Sequence, residues 1–183
     1  MRPLRHLLQR IPRHKHALIK DLQGGDNAVA LAALRRLQAA GRTQDGTLCG
    51  LKLGGAQLQQ ARLARASLSA AILRDARLDG AYLHAADLRG AALDGACLTG
   101  ANLCDALLDG ASLRGADLRH AHLAAAGLRD ADLHAADLHG ANLWGADLRG
   151  ANLTGARLDH ANLDGVTMDG RTRLPTNVTG PGL

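Results

Sequence analysis

Leucine recurs at every fifth position from Leu48 to Leu163, twenty-four times in succession, and Met168 takes the next place in register. Alanine stands two residues before each leucine without exception from Ala56 to Ala161. On an α-helix each step of five advances about 140°, which would smear the leucines around the whole surface. On a continuous strand an odd period would send successive leucines to opposite faces. Each pentad therefore predicts a short extended piece followed by a bend. Alanine and leucine share its inner side, and the residue between them points out.

The bend falls on the residue two after each leucine. Of its twenty-five occurrences from Gly50 to Gly170, fourteen are glycine, which accepts positive φ at little cost. Asp75, Asp105, Asp130, His120 and His160 belong to types that tolerate the left-handed region. Ala70, Ala85, Ala125 and Ala135 do not, and predict bends of another type. The chain reads as a solenoid.

Residues 86–90 (ADLRG), 101–105 (ANLCD), 116–120 (ADLRH), 141–145 (ANLWG) and 151–155 (ANLTG) match the signature A(D/N)LXX as they stand. Over roughly 46–170 the chain resembles the pentapeptide-repeat family. The resemblance implies an all-β solenoid, a right-handed quadrilateral β-helix with one pentad per side and four per coil. Members of that family often mix phenylalanine with leucine at the central position, and this chain has no phenylalanine. At the inter-strand spacing, about six coils would make a rod roughly 30 Å long. Its interior would hold leucine and alanine alone, with no polar group and no cavity, which leaves no room for an interior active site.

A solenoid exposes its end coil and needs a cover. Asp26 and Asn27, followed by Ala28 to Ala40 and then Gly41, predict one capped helix with Leu31, Leu34 and Leu37 as its apolar stripe. This helix is the expected N-terminal α-helical cap, a lid over Leu48 and Leu53. The chain thus divides into a basic arm (1–25), a helical cap and connection (26–45), the β-helix (46–170) and a tail (171–183). In the arm, Leu4, Leu7, Leu8 and Ile11 fall at helical spacing and Pro12 breaks it. The first twenty residues carry three histidines and no acid, and Arg2, Arg5, Arg10, Arg13, Lys15 and Lys20 are candidates for contact with nucleic acid or an anionic membrane. The plainer reading is an arm that packs its leucines beside the capping helix.

Charge changes the picture once it is split. The net +5 is concentrated in residues 1–45, which hold nine Lys/Arg and three Asp, whereas residues 46–183 hold thirteen and fourteen. All seventeen acids are aspartate. A short carboxylate suits the turn and pre-leucine positions, where it bonds nearby backbone amides. Cys49, Cys97 and Cys104 are odd in number and lack metal-ligand spacing, so free thiols in a reducing cytoplasm are expected. No apolar run is long enough to span a membrane, and no signal h-region is present.

With four pentads per coil, residues twenty apart stack in columns, and each side can be read separately. One side shows Arg89, Asp109, Arg129 and Arg149 after its leucines, and the next shows Arg74, Asp94 and Arg114. These are mixed ladders whose signs partly cancel. A third side gathers Arg119, His120, His139, Asp159 and His160, polar turn residues to which no metal is assigned. The fourth is the least charged and carries both aromatics of the protein. On it Tyr82, His84, His122, Asn142 and Trp144 form a candidate partner-binding strip.

No nucleophile with its base, phosphate loop, metal motif or cofactor motif is present, and a convex rod offers no pocket to exclude water. The reading is a non-enzymatic protein-interaction module presenting a rigid β-helical rod to a protein partner, with no cofactor. The resemblance also implies an alternative. Some family members, of the quinolone-resistance and toxin-immunity types, mimic duplex DNA and bind DNA gyrase or topoisomerase IV. That mimicry needs a strongly negative surface, whereas this repeat region is near neutral.

Overall fold

A computed structural model describes residues 13–176, with side chains from His16 onward. Two helices, α1 (Arg13–Leu22) and α2 (Asn27–Ala39), precede a ladder of isolated parallel bridges. Every bridge but the last joins residues twenty apart, as in Arg62 to Tyr82 and Tyr82 to Asn102. Four pentads therefore close one coil, and the columns read from sequence are the four faces of the rod. Inside, the leucines from Leu48 to Leu153 and the alanines from Ala56 to Ala151 are buried with almost no exposure.

The pentad around Leu83 shows how the backbone is satisfied. Leu83 N–H donates to Asn102 O at 2.7 Å, and Ala85 N–H to Cys104 O at 2.9 Å, both in the next coil. Tyr82 N–H donates back to Ala61 O at 2.8 Å in the coil before. Ala86 N–H closes the turn on Leu83 O at 2.9 Å. One amide is left over, that of the residue after each leucine. Wherever Asp or Asn precedes the leucine, its side-chain oxygen accepts that amide. All nine such residues do so, namely Asp87, Asn102, Asp117, Asp132, Asp137, Asn142, Asp147, Asn152 and Asn162. The aspartates before leucine are thus structural, and a neutral asparagine performs the same task.

The turn residues correct one expectation. Ala70, Ala85, Ala125 and Ala135 adopt φ of 55°, 54°, 56° and 56°, the same left-handed conformation as Asp75 and His120. Bends of a different type are absent from these four positions, because the ladder above and below each turn imposes one geometry. Gly170 is the turn that departs. There the last bridge joins Asn152 to Arg173, one residue out of register. The Asp169 carboxylate accepts Gly150 N–H at 2.9 Å where a backbone carbonyl would otherwise stand. The ladder so continues to Arg173, into the first residues of the expected tail.

At the other end α2 covers the first coil. Asp26 caps it by accepting Val29 N–H at 3.0 Å. Its buried stripe is Ala30, Ala33, Leu34 and Leu37; Leu31, expected in that stripe, lies at its margin and is half-buried. The connection is stitched down by Ser67 N–H to Thr43 O at 2.7 Å and Ser67 Oγ–H to Gln44 O at 3.1 Å. The helix α1 follows directly on Pro12 and packs on α2 with Leu22 buried and Leu18 half-buried. The helical spacing noted for Leu4, Leu7, Leu8 and Ile11 lies outside the described residues.

Candidate functional site

The four faces share one backbone and differ in what their outward positions carry. On three of them arginine and aspartate meet directly. Asp87 pairs with Arg89 at 2.8 Å, Asp147 with both Arg129 and Arg149 at 2.6 Å, Arg114 with Asp132 at 2.8 Å and Arg119 with Asp117 at 2.6 Å. Arg74–Asp94, Arg77–Asp79 and Arg157–Asp137 continue the pattern. The Arg149 guanidinium beside Asp147 holds that carboxyl well below the usual carboxylate range; burial pushes the other way, and Arg129 adds to the lowering.

The remaining face is built differently. Its bridge column runs Arg62, Tyr82, Asn102, His122, Asn142, Asn162. The three capping residues here are all asparagine, so the leftover amides of Cys104, Trp144 and Asp164 are satisfied without a carboxylate. Its one approach of a carboxylate to a basic side chain among the described residues is Asp105 Oδ2 to His84 Nδ1 at 3.6 Å. Tyr82 is 50% exposed and Trp144 57%. Neutral capping with large apolar side chains half in water distinguishes this face from the other three.

The residues expected to form the partner-binding strip lie on it. Tyr82 and His84 share one pentad, Asn142 and Trp144 share another three coils on, and His122 is exposed in the second of the two coils between them. At the coil spacing the two aromatics are separated by about 14 Å, so they bracket a flat strip and do not touch. Asn142 has a second role that its sequence position alone did not disclose: its Oδ1 accepts Trp144 N–H at 3.1 Å, fixing the backbone that carries the indole. Of the basic arm, Arg2, Arg5 and Arg10 lie outside the described residues, Arg13 and Lys15 begin α1, and Lys20 is exposed in its last turn.

The histidines of the third side form a ladder. His120 and His139 meet edge to face at 5.7 Å between ring centroids, as do His139 and His160 at 5.3 Å. His139 Nδ1 is buried without a hydrogen-bond partner. The rings present edges to faces, and among the described residues no group of His, Cys or Asp side chains is placed to hold a metal ion. Cys49, Cys97 and Cys104 are free and half-buried. No helix among the described residues is long and apolar enough to cross a membrane.

The family described as Pentapeptide repeats (8 copies) matches residues 52–90, 86–124 and 131–170. Similar solved structures include a pentapeptide repeat protein, Rfr23, from the cyanobacterium Cyanothece 51142, at 37% identity over 56% of this chain and 63% of that one, with a TM-score of 0.30. The chain thus spans less than two thirds of that relative. A pentapeptide repeat protein from the Arabidopsis thaliana thylakoid lumen is 31% identical over 61% of this chain and 70% of its own, with a TM-score of 0.29. QnrB1, a plasmid-mediated fluoroquinolone resistance protein, is 19% identical over 67% of this chain and 79% of its own, with a TM-score of 0.37. No curated protein matches. With the repeat ladder observed coil by coil and the family match covering most of it, the chain belongs to the pentapeptide-repeat family.

Proposed function

We propose that this protein is a non-enzymatic interaction module of the cytoplasm that lays its Tyr82–Trp144 face against a protein partner. The observation that carries the reading is that every Asp/Asn cap on that face is asparagine, whereas each of the other three faces has aspartate among its caps. Asn102, Asn142 and Asn162 do the same backbone work as Asp87, Asp117 and Asp147, but leave the strip neutral. Burying an unpaired carboxylate in an interface is costly, so neutral caps suit a surface that loses its water on binding. Tyr82 and Trp144 supply large rigid area at the two ends of the strip.

A topoisomerase-binding DNA mimic is the second reading. It requires rows of uncompensated negative charge. On three faces most of the carboxylates are paired with arginine, and the fourth carries few charges of either sign, which supports the protein-interface reading over it. The test is affinity capture from the native cell extract with the wild type and the double variant Tyr82→Ala, Trp144→Ala. Loss of the captured partner with the fold intact supports the strip. Unchanged recovery sinks it, and gyrase inhibition by the purified protein in a supercoiling assay would favour the second reading.

A further inference from the structure

The docking of α2 on the first coils leaves a cleft of about 420 Å³ lined by Leu31, Leu34, Arg35, Gln38, Gln60 and Arg62. Two features set it apart from the rest of the surface. Ten arginines of the described chain stand in ion pairs with aspartate; Arg35 and Arg62, like Arg36, Arg65 and Arg173, have no carboxylate within reach among the described residues, and the cleft brings these two together. And the cleft is not polar throughout, since Leu31 is half-buried at its edge and Leu34 forms part of its floor. Two uncompensated guanidiniums over an aliphatic floor complement a carboxylate that stands beside an apolar side chain. The cleft walls are held in place: Gln38 Nε2–H donates to the backbone carbonyl of Arg62, tying the helix to the coil at this point.

We infer that this cleft receives an acidic peptide segment of the partner, a carboxylate lying between Arg35 and Arg62 and an aliphatic side chain two residues away resting on Leu31. Residues two apart in an extended peptide project to the same side, which fits that pairing. Arg62 bridges directly to Tyr82, so the cleft is continuous with the neutral strip, and a chain laid along the strip reaches it at the N-terminal end of the rod. The inference rests on the interaction reading of that face and adds the partner's chemistry at one end.

The test uses the full chain and a fluorescein-labelled octapeptide with leucine and glutamate at alternate positions, separated by serines, titrated by fluorescence polarisation. The control peptide has glutamine in place of glutamate. Binding of the glutamate peptide, weakened about tenfold by each of Arg35→Gln and Arg62→Gln and unaffected by Arg173→Gln at the other end of the rod, is the expected result. Equal binding of the two peptides, indifference to both arginine variants, or no binding to the wild type overturns the inference. Displacement by inorganic phosphate at the same concentration as by unlabelled peptide also overturns it, by assigning the cleft to simple anions. Circular dichroism of each variant shows that the coil is intact. If Trp144→Ala abolishes partner capture while the peptide fails to bind, the strip stands and the cleft falls; if the peptide binds as expected while Trp144→Ala leaves capture unchanged, the reverse holds.

Discussion

The side-chain carbonyl of Asn142 holds the backbone N–H of Trp144 at 3.1 Å, so the residue that keeps the strip neutral also orients its largest apolar side chain. The two roles separate by substitution. Asn142→Ala leaves an amide without its acceptor and is expected to lower stability by about 1 kcal/mol in urea denaturation. Asn142→Asp keeps the acceptor and should denature within a few tenths of a kcal/mol of the wild type. It introduces a carboxylate beside Trp144, however, and should reduce partner capture although the rod is unharmed. A drop in stability with Asn142→Asp as large as with Asn142→Ala would mean that the cap is not the residue's structural role.

Ala125 offers a test of the turn geometry. Its φ of 56° carries the usual cost of a Cβ in the left-handed region, and the coil compels it. Ala125→Gly removes that cost and is expected to raise stability by roughly 0.5–1 kcal/mol after the entropy of the added glycine is subtracted. Gly145, with φ of 67° and nothing within 4 Å of a built Cβ, supplies the converse. Gly145→Ala should cost about 1 kcal/mol from backbone strain alone. Identical midpoints for both variants would show that these turns relax on substitution.

Acid should weaken the rod in a defined window. Arg149 and Arg129 hold the Asp147 carboxyl below its ordinary range against the effect of burial. At Asp169 burial is outweighed by Gly150 N–H and by Arg171, which bring it down to about 2. Asp87 and Asp117 are lowered by Arg89 and Arg119 respectively, again against burial. A carboxyl whose value is depressed on folding contributes stability that is fully present above its unfolded value, near pH 4, and is lost as the pH falls through the folded one. The urea midpoint should therefore be flat from pH 7 to about 4 and fall below that. Asp147→Asn keeps the bond to Arg149 N–H but cannot ionise, so its profile should fall less steeply over the acid limb. A profile that declines between pH 7 and 5 would locate the sensitivity elsewhere than in these carboxylates.

The repeat was legible in the sequence because identical side chains stack on themselves: a leucine inside one coil meets leucines twenty residues away, so the pattern has nowhere to drift. The assignment of Tyr82 and Trp144 to one face follows from the same twenty-residue rule. What failed to be legible depends on contacts between unlike parts. Ala70 and Ala125 enter left-handed turns against their local preference because two neighbouring coils outvote one residue. The stripe of α2 rotated from Leu31 toward Ala30 and Ala33 because the coil end, not the helix, decides which side is covered. Arg35 and Arg62 are twenty-seven positions apart and meet at one cleft only through the docking of α2, which no periodicity reports.

The rod should also be unequally stable along its length. Leu103 is fully buried with coils on both sides, whereas Leu163 is half-buried in the final turns, next to the register shift at Gly170. Within the described residues, nothing corresponding to α2 covers this second end. Neighbours supply nearly all the stabilisation in a solenoid, so a coil with one neighbour has about half of it. Leu103→Ala should cost about 3–5 kcal/mol, and Leu163→Ala about 1–2 kcal/mol, because part of that side chain is already in water and the site can collapse. Native-state hydrogen exchange gives the finer reading. The amides of Leu103 and His122 should exchange near the global unfolding free energy, and those of Asn162 and Thr167 faster, through opening that starts at the C-terminal coil. Leu163→Ala should accelerate the latter pair alone. Uniform acceleration along the rod would mean that all the coils unfold as one cooperative unit, with the end no weaker than the middle.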